Sequence, residues 1–171
     1  MRRRLIDVNA CARALRENPR LLIYGLCVAD EHPHLFERLA AGRVPLGVCL
    51  EAEHMNMVAL KLASIAARLP LEEVVVLTVD GSPHCVQLHF MVEEVNKILG
   101  GRLRVRHFVI ERGKLIEIDE RVVKTARYLS KVKRLLELCG PARAAAEGAS
   151  AAGGAARGAD PAAEGEEEQV G

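Results

Sequence analysis

The sequence predicts an α/β fold: a parallel or mixed sheet covered by helices, with a C-terminal β-hairpin and helix and a disordered tail. Three observations carry that prediction. Short apolar runs of strand length alternate with longer segments of helical periodicity through most of the chain. Two of the runs, at residues 21–29 and 74–79, are apolar but for Gly25 and Thr78, as strands covered on both faces are. The 171 residues are 50% hydrophobic but only 3% aromatic, which supplies one sizeable core and hardly a second. Residues 1–139 therefore read as a single domain, and 140–171 as its tail.

The elements follow in order. Residues 8–17 have a helical pattern that Asp7 could cap. Leu21-Leu22-Ile23-Tyr24-Gly25-Leu26-Cys27-Val28-Ala29, bounded by Pro19 and by Asp30-Glu31, is the first strand. Pro33 suits the first turn of a helix over 33–41. Residues 44–50 form a weaker strand, because Pro45 has no N–H to give a ladder and is confined to a strand start or an edge. The helix over 54–69 carries only Lys61 and Arg68 as charges after its first residue, so apolar neighbours are expected on more than one side of it.

Val74 to Val79 is the β-branched second long run. A helix over 83–99 follows and ends at Gly100-Gly101, where glycine accepts the left-handed conformation of a helix C-terminus. Residues 103–110 alternate, and 115–118 follow across Glu111-Arg112-Gly113-Lys114. That pair is a hairpin, with Gly113 taking a positive φ. Asp119 could cap a last helix over 120–138.

Beyond it, residues 140–171 are almost wholly Ala, Gly and Glu, a composition that cannot bury enough surface to offset the entropy of ordering it. This tail holds six acids and two arginines, so the formal net charge of +1 hides a distinctly basic body. No run approaches the roughly 20 apolar residues of a membrane-spanning helix, and no membrane partner is expected. Met1-Arg2-Arg3-Arg4 is followed by Asp7, Asn9 and Arg13 rather than by an apolar signal segment, so a cytoplasmic location is expected. Five cysteines at wide, irregular spacings fit reduced thiols better than a secreted disulfide framework.

Three of those cysteines close successive strand-to-helix units. Cys27 precedes Asp30-Glu31-His32-Pro33-His34, Cys49 precedes Glu51-Ala52-Glu53-His54, and Cys85 follows Asp80-Gly81-Ser82-Pro83-His84. If the strands are parallel, all three emerge at the carboxyl edge of one sheet, where ligands of open α/β folds bind. The same edge would gather the imidazoles of His32, His34, His54, His84 and His89 and the carboxyls of Asp30, Glu31, Glu51, Glu53 and Asp80. Cys85 sits in the first turn of its helix, where the dipole favours a thiolate, and His89 lies one turn further on the same face.

Two chemistries follow. As a metal site, Cys27, Cys49 and Cys85 could hold an iron–sulfur cluster, or with His89 complete a tetrahedral zinc site; tight CxxC knuckles and ferredoxin spacing are both absent. As an enzyme, Cys85 would be the nucleophile and His54 or His89 its base. A third reading is a binding module for a small polar ligand without chemistry. His107, Cys11 and Cys139 lie outside the edge and read as packing or surface residues. Neither GxGxxG nor GxxxxGK[ST] occurs, which removes the usual nucleotide signatures. Lys124, Arg127, Lys131 and Arg134 form a basic stripe on the last predicted helix, but such a stripe is most often a solvated face, and few aromatic residues are present to stack on bases, so nucleic acid is not an expected partner.

The runs VPLGVCLEAEHMN, LTVDGSPHCVQLHF and VVKTARYLSKV resemble those of a group of small prokaryotic proteins, some of which carry iron–sulfur or ferredoxin-type labels. The resemblance spans about residues 20–135. It adds weight to the iron–sulfur reading, in which the three cysteines would hold a [4Fe–4S] cluster and a redox partner would exchange its electron; it supplies no catalytic residues.

Overall fold

A computed structural model describes residues 3–139; the tail expectation falls on residues outside these. The chain divides into two compact units, Met1–Arg127 and Tyr128–Gly171. In the first, β1 (Arg20–Gly25), β2 (Val44–Val48), β3 (Glu73–Val79), β4 (Val105–Glu111) and β5 (Lys114–Ile118) form one sheet in the order β2-β1-β3-β4-β5. The first four strands are parallel to their neighbours, and β5 returns antiparallel to β4. The hairpin turn is the expected one, with Arg112 at φ 47° and Gly113 at φ 74°. Two successive positive φ angles match the twist of the flanking strands.

The helices are α1 (Arg13–Glu17), α2 (Val28–Glu31), α3 (Pro33–Ala40), α4 (Met55–Arg68), α5 (Pro83–Ile98), α6 (Glu120–Ala126) and, in the second unit, α7 (Leu129–Cys139). Alternation along each strand divides the core into two layers. Leu21, Ile23, Val74 and Val76 pack with Val58, Leu62 and Ile65 of α4 and Leu88, Val92 and Val95 of α5. Leu22, Tyr24, Val75 and Leu77 pack on the opposite face with Val28 and Ala29 of α2 and Leu39 of α3. The chain leaves β1 toward β2 on one side and returns to β3 on the other, so the winding reverses beside β1. Open sheets make their crevices at such a point.

Four expectations are corrected. The first strand stops at Gly25, and Val28 and Ala29 begin α2 instead, because only these two of the last four apolar residues bury on the helical layer. The first helix starts at Arg13 with Ala12 as its N-cap, so Asp7 caps nothing in it; Leu5 and Val8, which precede it, are buried in the core from a turn segment. Helix α4 is covered on one side only: Leu62 is 0% exposed while Leu60 is 64% exposed. Its few charges reflect an apolar outer face. The last helix is two, α6 capped by the Asp119 carboxylate on Arg121 N–H, and α7. The residues of the basic stripe are therefore divided between elements rather than carried by one helix, and among them Lys124 pairs with Glu120 and Arg127 with Glu94.

At the outer edge of β2, Gly47 N–H donates to Arg3 C=O at 2.8 Å and Leu5 N–H donates to Gly47 C=O at 2.9 Å, making a parallel bridge with Arg4. Pro45 tolerates its place because β2 is an edge strand, as its missing N–H requires. No helix among the described residues is long and apolar enough to cross a membrane.

Candidate functional site

The carboxyl ends of β1, β2 and β3 meet around a crevice of about 170 Å³, and the thiols of Cys27, Cys49 and Cys85 all line it. Each reaches it by a different local device. Cys27 ends the short turn after β1 and is the N-cap of α2, its carbonyl accepting from Asp30 N–H at 3.0 Å and Glu31 N–H at 2.9 Å. Cys49 lies just past β2, where its N–H donates to Glu53 Oε2 at 3.0 Å. Cys85 is in the first turn of α5, whose N-cap Ser82 accepts the Cys85 N–H at 3.4 Å; Pro83 fills the position where a helix has no use for an N–H.

Gly25 is the floor. A Cβ there would lie 3.9 Å from the sulfurs of both Cys27 and Cys85, so the two thiols straddle one glycine. Burial pushes the Cys27 thiol above its usual range, and the neighbouring Cys85 and Glu31 push it further in the same direction, with Cys49 adding to them. A Cys27 thiol raised in this way releases its proton most readily when a cation shares the site. Because ordinary van der Waals space surrounds the Gly25 Cβ position, Gly25→Ala should fold normally and gain the 0.5–1 kcal/mol or so that replacing a strand glycine confers. A thermal melt that falls rather than rising by about 1–4 °C would show a tighter floor than this.

The other predicted residues separate. Glu51 and His84 also line the crevice. Glu53 does not stand open as a carboxyl of the edge: it is 9% exposed, takes the Arg4 guanidinium on Oε1 at 2.6 Å, and uses Oε2 to hold the Cys49 loop. His54 is the exposed N-cap of α4 and contributes no cap hydrogen bond from its side chain. Cys11 and Cys139 are exposed.

His89 turns away from Cys85 into the interior. Its Nε2 is 2.9 Å from Thr78 Oγ1 and its Nδ1 is 2.9 Å from His107 Nδ1, while His107 Nε2 is 2.7 Å from Glu93 Oε1. All four residues are buried. Burial, reinforced by His107, lowers the His89 pKa from 6.5 to about 3, so the imidazole is neutral. With both nitrogens engaged, His89 has no lone pair free for a metal held by Cys85 or for the Cys85 proton. Sequence spacing could place His89 and Glu93 one turn apart on α5, but it gave no sign that His107, read as packing or surface, would join them. Among the described residues no group of three or more His, Cys, Asp or Glu side chains is arranged to hold a metal ion.

Residues 12–145 match a family model described as a Rossmann-like domain. The chain belongs to the Rossmann-like domain family. No curated protein and no solved structure gives a match. In this Rossmann-like domain the β1–helix turn does not fit a dinucleotide. A pyrophosphate needs glycines that let the backbone approach and a helix N-terminus to face. Here Cys27 stands in the turn, and α2 has four residues with Asp30 and Glu31 in its first turn, where carboxylates repel phosphate.

Proposed function

We propose that this Rossmann-like domain carries a thiolate-bound metal centre, an iron–sulfur cluster held by Cys27, Cys49 and Cys85, and works as a redox or accessory protein. The observation that carries this reading is the convergence of three thiols from three separate β–α units on one crevice at the point where the winding reverses. The donor set is soft and suits iron–sulfur chemistry, and Glu51 and His84 on the same wall are available to a fourth iron. When bound, a cluster supplies one-electron transfer; the chain supplies the thiolates and an apolar surround from Val48, Val79 and Leu88. Zinc is the less favoured metal. Four donors would have to close to about 2.0–2.3 Å around one ion, and His89, its expected fourth ligand, is committed to Thr78 and His107. A nucleophilic Cys85 loses the same histidine as its base.

Anaerobic reconstitution with ferrous iron and sulfide tests the proposal. The wild-type protein should hold iron and sulfide with a broad visible absorption that bleaches on reduction. Cys27→Ser, Cys49→Ser and Cys85→Ser should each lose most of both elements, and Cys11→Ser should lose none. A colourless wild type, or a triple serine variant that retains the cluster, refutes the reading.

A further inference from the structure

We propose that Cys27 and Cys85 form a dithiol that closes to a disulfide over Gly25 by exchange with a small disulfide, with Cys49 outside the pair. The pairing rests on where the sulfurs stand and needs no metal. The metal reading enters only through a consequence: a closed pair withdraws two of the three proposed cluster ligands, so the disulfide and the cluster exclude one another.

Position selects the pair. The three atoms nearest a Cβ placed on Gly25 are Val28 Cγ2 at 3.7 Å and the sulfurs of Cys27 and Cys85 at 3.9 Å each. Two atoms 3.9 Å from one point are at most 7.8 Å apart, twice that distance. A step from one staggered rotamer to the next carries a cysteine sulfur through about 3 Å, and a disulfide bond is about 2.05 Å long. Turning both side chains is therefore a movement of the size that closes the largest gap this geometry allows. Both thiols line one crevice and are half-buried, which leaves them open to a small reagent. The Cys49 sulfur lies further from the Gly25 point than either, and its loop is tied down, with Cys49 N–H on Glu53 Oε2 at 3.0 Å and Glu53 held in turn by Arg4. Among the charges that raise the Cys27 thiol the order is the same, with Cys85 first and Cys49 last.

Thiol–disulfide exchange needs a thiolate and no histidine base. One of the two thiolates attacks a sulfur of the small disulfide; a protein–reagent S–S bond forms, the reagent's own S–S bond breaks, and one half leaves as a thiolate that takes up a proton. The second cysteine then gives up its proton and attacks the protein sulfur of that mixed disulfide, and the other half of the reagent leaves in the same way. The two cysteines lose two electrons and two protons, and the reagent gains them as two thiols. Glu31 beside Cys27 and Glu51 on the crevice wall repel an anionic reagent, so the class that fits is a small neutral or cationic disulfide.

Cystamine, a cationic disulfide, is the probe, applied to reduced, metal-free, full-length protein. Trypsin leaves Cys27, Cys49 and Cys85 in separate peptides, 21–38, 44–61 and 69–97, so mass spectrometry after blocking the free thiols reads each linkage directly. Peptide 21–38 should be joined to 69–97 in most of the protein, and links from either to 44–61 should be at least about tenfold rarer. Cys49→Ser should close the same pair. Cys27→Ser and Cys85→Ser should stop at the mixed disulfide, with cysteamine retained on the remaining partner. In protein unfolded by urea the preference should vanish, because the fold sets it. Cysteamine retained on Cys27 or Cys85 in most of the wild type, links to Cys49 in comparable amount, unreactive crevice thiols, or the same preference in urea would each overturn the proposal. Iron content of the serine variants is a separate measurement, so the disulfide and the metal centre stand or fall apart from one another.

Discussion

Replacing His107 with leucine should destabilise the protein by about 3–5 kcal/mol, the cost of breaking a buried ion-pair-like contact while its partner stays behind. The change leaves Glu93 Oε1 and His89 Nδ1 without the atoms that now stand 2.7 and 2.9 Å away, on side chains that are buried in the fold. Removing Glu93 as well, in Glu93→Leu with His107→Leu, should recover part of the loss, because two apolar side chains replace both ends of the contact. Urea midpoints of the single and double variants check this. A single variant within about 1 kcal/mol of wild type would mean the chain contributes nothing to stability. The same neutral His89 sets a pH dependence. Its folded pKa lies near 3 against 6.5 unfolded, so the unfolded state takes up the proton first and stability falls as pH drops below 6.5. Between pH 7 and pH 5 that loss should be on the order of 2 kcal/mol.

Leu62→Ala should cost about 2–5 kcal/mol, and Leu60→Ala less than about 0.5 kcal/mol. The two leucines are separated by one residue on α4, yet Leu62 is 0% exposed against β-strand residues and Leu60 is 64% exposed. Thermal or urea unfolding of the pair measures how one-sided the helix is. Equal losses would show that the outer face is covered in solution.

The contrast on α4 also shows what the sequence could carry. Apolar runs such as Val74–Leu77 mark strands because both faces of β3 are covered, and the hairpin is legible because Gly113 states its own backbone angle. The convergence of Cys27, Cys49 and Cys85 is legible for a topological reason: parallel strands bring every strand-to-helix turn to one edge. An apolar outer face, by contrast, has the same composition as a buried one, so α4 read as enclosed. The break at Arg127–Tyr128 between α6 and α7 has no proline or glycine to announce it. The histidine chain depends on α5 crossing β4 with His89 over His107, a tertiary placement that no local pattern records.

The bridge between Arg4 and Gly47 bears on how the protein behaves in a crowded solution. An exposed sheet margin recruits other chains through its outward N–H groups, which act as templates for a further strand. On β2 the outward-facing donors fall at residues 45 and 47, since Leu26 N–H already bonds Val48 C=O on the inner side. Pro45 has no proton to offer and Gly47 gives its own to Arg3. The margin is therefore silent as a donor without needing a charged residue to guard it, and three N-terminal residues, Arg3 to Leu5, do the work of a gatekeeper against fibril-like stacking. Arg4, while lying along that margin, also clasps Glu53 and through it the Cys49 loop, so the segment that covers the β2 edge also keeps one wall of the thiol crevice in place.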